Sequence, residues 1–356
     1  TVFLKRAEQS SAVLQAIVTA GGIMIGGSDA DECKRTKIVK TLKMIDGLLL
    51  DPNPQDYIDA MMSYIILMEG HIVNNCVADW EYLFELVKQY VRQLGLYDRL
   101  CNGREFLQLL DDEKWIAVNL THHDLHSSLV NVKGTFFPAT ILVDRFQGVG
   151  TLHGVTKPML CLFAECINLG VKARERYQLL EVPGKLNNYQ TTAQLNAIVD
   201  SLLELDAEMA RLTPRPEDLA MIPKSMLEDH MSLFELYQFI SQIYLRMAVK
   251  RHAPITPEIQ IFLYKLINLL RFLINSDVKC SIKLPFLIAG ISCVYDFDRA
   301  KVMRLLEEYE KKLWHHSNIR VIKTIIEEVW ELNPDGALCI DWYDIVSKFG
   351  WTICLT

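Results

Sequence analysis

The sequence predicts an all-α protein: a single large multi-helix domain spanning 1–356, with about a dozen helices and no regular solenoid repeat. Three observations carry this. Apolar residues recur at three- and four-residue spacing almost throughout. Helix starts are marked by a capping residue followed by proline. No strand–helix alternation of a doubly wound sheet is present, and no fixed repeat period.

Taken in order, the pattern predicts helices over 6–20 and 31–50, with Gly21-Gly22-Ile23-Met24-Ile25-Gly26-Gly27 as a flexible break between them. Asn53-Pro54 opens the next helix, because a proline at the first helical position loses no hydrogen bond there. That helix carries Tyr57, Ile58, Met61, Ile65 and Met68. Over Ala78 to Leu94, Trp80, Leu83, Phe84, Val87, Val91 and Leu94 share one face, with Glu81, Glu85, Lys88 and Arg92 opposite. Asp79 suits the start as a cap, and Gly95 suits the stop, since glycine accepts the left-handed conformation.

A helix over 104–130 follows. Gly134 to Val155 reads as a long ordered loop, with at most one or two short strands inside 135–146. Helices are then predicted over 158–181, 188–212 and 226–251. Thr256-Pro257-Glu258 opens a further one bearing Ile259, Phe262, Leu263, Leu266, Leu269, Leu270 and Leu273. The series closes with 285–294, 297–315, 318–332 and 341–349. Trp330, Trp342, Phe349 and Trp351 place four large aromatics in the last 27 residues. Exposed rings cost free energy, so this segment is expected to fold back and bury them, with Pro334-Asp335-Gly336 as the reversing turn.

Composition narrows the function. Half of the 356 residues are apolar and 23% are charged, with 17 Gly and 12 Pro. Disordered, collagen-like and disulfide-scaffold classes are excluded. The net charge of −7 is a poor basis for gripping phosphates, so this chain itself is not expected to bind nucleic acid. No uninterrupted run of 18 apolar residues occurs, and Leu284 to Tyr295 is too short to span a bilayer, so no membrane partner is expected. The opening TVFLKRAEQSS has charges where the apolar core of a signal peptide belongs, and it begins with Thr1 rather than Met, which suggests a piece of a longer chain. Nine cysteines are scattered without a CxxC pair, as in a reducing compartment.

Few residues suggest chemistry. His122-His123-Asp124-Leu125-His126 places two imidazoles one helical turn apart, a spacing that suits a metal. A helical HD-type metal-dependent phosphohydrolase would use His122, His123, Asp124 and His126, with His71 and Asp200 or Asp206 as further ligands. The opposing reading is a set of hydrogen-bonded polar residues on a buried helix, and it is preferred. Asp111-Asp112-Glu113 is contiguous, so its carboxylates point in different directions, unlike a magnesium site. Gly21–Gly27 lacks the Lys and Ser/Thr of a phosphate loop. His315-His316 suits a helix C-terminus. No catalytic residue and no metal site are assigned, and any cofactor-binding residue is unknown.

The order of several segments resembles the regulatory domain of fungal zinc-cluster transcription factors. Trp115 to Asp124, then Ser127-Ser128 and Gly134-Thr135-Phe136-Phe137-Pro138, is similar to the middle of that domain. Glu69-Gly70, Asp79-Trp80 and the helix to Leu94 resemble its third and fourth helices, and Gly154 through Leu169 its central one. Pro285 to Gly290, Asn318-Ile319-Arg320, Ile326 to Trp330, Asp335-Gly336, Asp341-Trp342 and Gly350-Trp351 resemble the close of the subfamily that includes regulators of GABA utilisation and lysine biosynthesis.

The resemblance implies a non-enzymatic, effector-responsive or dimer-forming regulatory domain. It would act in the nucleus on RNA polymerase II genes, metabolic ones among them. It implies a homodimer, a small-molecule effector and contacts with transcription machinery or co-regulators. The family's six-cysteine cluster is missing here, so zinc and DNA are expected only through an N-terminal segment outside this chain. His123-Asp124 would then be structural. An architectural scaffold of the same fold with no effector is the remaining alternative.

Overall fold

The computed structural model describes residues 2–25, 31–74, 77, 80–102, 105, 108–131, 133–138, 154–181, 188–313 and 317–355, without the side chains of 31–34, 74, 181, 188–190 and 317. All regular structure among them is helical, and thirteen helices have seven or more residues. The chain gathers into two compact units, residues 1–124 with 351–355, and residues 125–350 with 356.

Unit 1 contains α1 (Val2–Ala7), α2 (Ser11–Ile25), α3 (Asp31–Leu48), α4 (Pro54–Asn74), α5 (Trp80–Gln93), α6 (Leu96–Cys101) and most of α7 (Asp111–Ser128). Helix α4 is its centre and packs on α2, α3 and α5. It can do so because Met61, Met62, Tyr64, Ile65, Leu67 and Met68 are buried on every side of it. Its start is the capped one the sequence announces. The Asn53 carboxamide accepts from the backbone N–H groups of Gln55 and Asp56 at 2.8 and 3.1 Å. Asp56 in turn accepts from the Asn53 N–H at 2.9 Å, a reciprocal capping box. The predicted face of α5 is buried through Trp80, Leu83, Phe84, Val87 and Val91, and Gly95 stops it at φ 65.

Three expectations for unit 1 need correction. The helix expected over 6–20 is two helices, with Ser10 capping α2 through the Val13 N–H. Gly21 and Gly22 do not form a break; they continue α2, whose inner face is held against α4 by packing that overrides glycine's helix cost of about 1 kcal/mol each. The helix expected over 104–130 is interrupted at residues 108–110, which are not helical, and α7 starts at Asp111, where Glu113 accepts from the Leu110 N–H at 2.9 Å; of the residues before the break, 105 is helical and 104, 106 and 107 lie outside the described set. Gly26, Gly27 and the cap Asp79 lie outside the described residues.

Unit 2 contains α8 (Lys157–Glu181), α9 (Asn188–Arg211), α10 (Pro216–Ala220), α11 (Leu227–Tyr244), α12 (Pro257–Leu273), α13 (Lys283–Ser292), α14 (Asp296–Lys312), α15 (Ser317–Leu332) and α16 (Trp342–Lys348). Helix α11 is central and packs on α8, α9, α12 and α13. Its periodic run continues to Val249, but Leu245–Val249 is a π turn, which the apolar pattern cannot distinguish from α. Every side chain of α13 from Leu284 to Ser292 is buried. The stretch Gly154–Leu180 is long and apolar enough to cross a membrane, yet 78% of its apolar window is buried in the fold, as in a core helix.

The C-terminal segment folds back through the predicted turn. Gly336 adopts φ 69, and its carbonyl accepts from the Ile255 N–H at 3.1 Å. Its burial differs from expectation in detail: Trp342 and Tyr343 are 3% exposed, whereas Trp330, Phe349 and Trp351 are half-buried. The strands expected inside 135–146 fall mostly on residues outside the described set, as does His315-His316; the described residues 135–138 are not a strand.

Candidate functional site

On α7, successive side chains diverge by a little over a quarter turn, so the five-residue His-Asp motif cannot point one way. The His123 ring is fully buried. Its Nε2 lies 2.7 Å from Glu69 Oε1 on α4, and its Nδ1 lies 3.9 Å from Cys354 Sγ. Asp124 and His126 are buried and His122 half-buried. Among the described residues, no three His, Cys, Asp or Glu side chains gather as metal ligands. Asp206, considered as a further ligand, is held by Arg246 of the same unit through two contacts of 3.0 Å.

The Cys354 neighbour of His123 belongs to residues 351–355, which form neither helix nor strand. The Trp80 indole N–H donates to the Thr352 carbonyl at 2.8 Å, and the Thr352 N–H donates to the Val77 carbonyl at 3.3 Å. Ile353, Cys354 and Leu355 are buried. Sequence reasoning singled out His123 but missed Glu69 and Cys354 as its neighbours; Glu69 was noticed only as part of the Glu69-Gly70 motif that carried the family resemblance.

The acidic triplet Asp111-Asp112-Glu113 forms the first turn of α7, where carboxylates suit the helix dipole. Glu113 pairs with Arg99 at 2.5 Å. Burial pushes the Asp112 carboxyl above the usual range, while Arg6 pulls it back.

Unit 2 has a polar network of its own. Arg246, on the π turn, grips Asp206 with both terminal nitrogens and Glu258 through Nε at 3.0 Å, and lies over the Phe262 ring. Arg174 donates to Asp341 at 2.6 Å and also to Asp344. Asp341 accepts from the Tyr343 N–H and so caps α16. The Tyr244 and Tyr343 hydroxyls meet at 3.0 Å, and burial pushes the Tyr244 phenol far up.

Open grooves on the surface of unit 2 include three lined by described residues. One of about 640 Å³ follows Leu203, Glu204, Ala207, Glu208, Arg211 and Leu212 of α9 and its end. One of about 530 Å³ runs past Ile255, Ile261, Tyr264, Lys265 and Tyr295. The third, about 370 Å³, lies between α11 and α12 and presents Asp229, Asn268, Arg271 and Asn275.

Residues 1–356 match, end to end, the family described as the fungal specific transcription factor domain. The chain belongs to this family. It is 24% identical, over 99% of its length, to an uncharacterized transcriptional regulatory protein of Schizosaccharomyces pombe. It is 21% identical, over 67% of its length, to the transcriptional activator protein UGA3 of Saccharomyces cerevisiae. The chain spans 66% and 46% of those relatives' own lengths. No solved structure matches it.

The motifs that resemble this family are packing devices. At Gly70, α2 crosses so closely that an added Cβ would sit 3.2 Å from Ala20 Cα. Ser128 donates to the Gly134 carbonyl at 2.6 Å, and Asn168 bonds Thr135 twice at 2.9 Å, fixing the segment in which Phe137 is buried. A Cβ on Gly290 would collide with Ile326, and one on Gly336 with Val294. Asn318 and Ile319 are buried at the start of α15.

Proposed function

We propose that this chain is the effector-responsive, dimer-forming regulatory part of a nuclear fungal zinc-cluster transcription factor acting on RNA polymerase II genes, metabolic ones among them. The observation that carries the reading is the family match across all of 1–356, with a transcriptional activator among the relatives. Zinc and duplex DNA are taken by an N-terminal segment outside this chain, in keeping with the net charge of −7 here. Co-regulators read the state of the domain. An effector shifts the balance between helix arrangements by its differential affinity for them.

The groove between α11 and α12 supports a small zwitterionic effector, because it presents the Asp229 carboxylate and the Arg271 guanidinium together. Thermal unfolding with 4-aminobutyrate and with lysine tests this. Ligand at a hundredfold over its Kd stabilises the folded state by about 2.7 kcal/mol, and Arg271→Gln abolishes the shift. No shift with either compound removes the zwitterion reading. Sequence-specific gel shifts by residues 1–356 alone would contradict the assignment of DNA binding to another segment.

A further inference from the structure

Helix α12 lies at the surface of unit 2 yet carries large apolar side chains on both faces. Its inner face buries Ile259, Leu263, Leu266, Ile267 and Leu270 as it packs on α11 and α13. Its outer face presents Ile261 and Tyr264, which line one groove with Ile255 and Tyr295. Tyr295 is the N-cap of α14, which packs on α12, and Phe297 stands on the first turn of α14. Ile255, Ile261, Tyr264, Tyr295 and Phe297 are 45 to 71% exposed. A helix that is apolar all round is ordinarily a buried one. Three rings of about 150–250 Å² each, more than half exposed, with the two isoleucines and Lys265, offer on the order of 800 Å², the share that one partner gives to a stable interface.

Charge selects the occupant. Glu258 precedes Ile261 by three positions and Lys265 follows it by four, and both are exposed. Two α12 helices meeting antiparallel about Ile261 therefore set Glu258 of each copy against Lys265 of the other, whereas a parallel meeting opposes like charges. Glu258 also holds Arg246 through Oε2, and its side chain is still 57% exposed. Self-complementarity of this kind is what a two-fold dimer requires. We propose that the outer face of α12, with Tyr295 and Phe297 beside it, is where a second copy of this chain docks about a two-fold axis. The inference rests on the dimer-forming part of the proposed function and names its surface.

Sedimentation equilibrium of residues 1–356 is the test. The unsubstituted chain should be dimeric by a concentration of about 100 µM. Ile261→Glu and Tyr264→Glu should each weaken the dimer at least tenfold, as loss of a central apolar anchor does. Both should keep the helical circular dichroism, because these side chains are exposed in the single chain. Lys265→Glu should weaken self-association at least fivefold. Mixing it with a Glu258→Lys chain should restore the dimer, since only the mixed pair sets opposite charges together. Unchanged dimer affinity in Ile261→Glu and Tyr264→Glu overturns this face while the dimer reading stands. A mixture that associates no more tightly than the separate charge variants overturns it equally. Should Glu258→Lys fail to fold, because it meets Arg246, the two apolar variants decide. A chain that stays monomeric throughout overturns both the face and the dimer reading, and leaves α12 to a different protein.

Discussion

The Trp330 indole N–H donates to the Gly290 carbonyl at 2.8 Å, joining α15 to α13 at the point where α13 has no side chain. The approach exists because residue 290 lacks a Cβ: one placed there would overlap Ile326.

Gly290→Ala therefore destabilises the chain by about 1–3 kcal/mol through overpacking. In an exposed helix interior the same change gains about 1 kcal/mol, so the sign reads the close approach directly. Urea denaturation measures it; a stabilised variant would mean that α13 and α15 are further apart.

Arg246 is held by Asp206 and Glu258, but the Glu258 side chain is 57% exposed and screened by water. Arg246→Ala should cost toward the lower end of the roughly 3–5 kcal/mol seen when a buried pair loses one partner. Arg246→Lys should recover only part of this, because an ammonium cannot make the paired contact to Asp206. Chemical denaturation of the two variants checks the order.

Trp342 packs edge-on against Tyr244, with ring centroids 5.7 Å apart. Trp342→Ala should cost about 3–5 kcal/mol, and truncation after Leu332 should lower Tm further because Tyr343 and the Arg174–Asp341 pair go with it. An unchanged Tm in the truncated chain would show the segment to be a tail.

His123→Ala should destabilise by about 1–3 kcal/mol, since it removes a buried imidazole paired with Glu69. A metal reading of the motif makes a different demand. Zinc offered to the purified chain is expected to be substoichiometric after dialysis, and His122→Gln with His126→Gln should leave regulatory output largely intact. Tight equimolar metal would restore the phosphohydrolase alternative.

His252 has its pKa lowered from 6.5 by burial first and by Lys250 and Arg246 next, against an opposing pull from Glu258. The folded state then binds a proton less readily than the unfolded one. The stability from His252 is present above 6.5 and is lost as pH falls through the folded value. Comparing melting curves from pH 7 to 5, His252→Gln should show a shallower loss than the unsubstituted chain.

Helix positions and buried faces were legible because each depends on local spacing. The α5 face, the caps at Asn53 and Gly95 and the turn at Gly336 all emerged as read. The break expected at Gly21-Gly22 failed because packing against α4 outweighs a propensity of about 1 kcal/mol per residue. The π turn at Leu245–Val249 was invisible because one extra residue in a buried turn leaves the apolar pattern intact.

By itself, the sequence determined the helical class, most element boundaries, the fold-back of the C-terminal aromatics and the family resemblance, all of which follow from periodicity, turn chemistry and motif order. The tertiary structure alone decided what the motif residues touch. Glu69 and His123 are 54 positions apart, and Trp80 and Thr352 are 272 apart. No spacing rule operates over such distances; the partners are chosen by how whole helices pack, so a His-Asp pair that reads as chemistry in one dimension becomes buried packing against Glu69 and Cys354 in three.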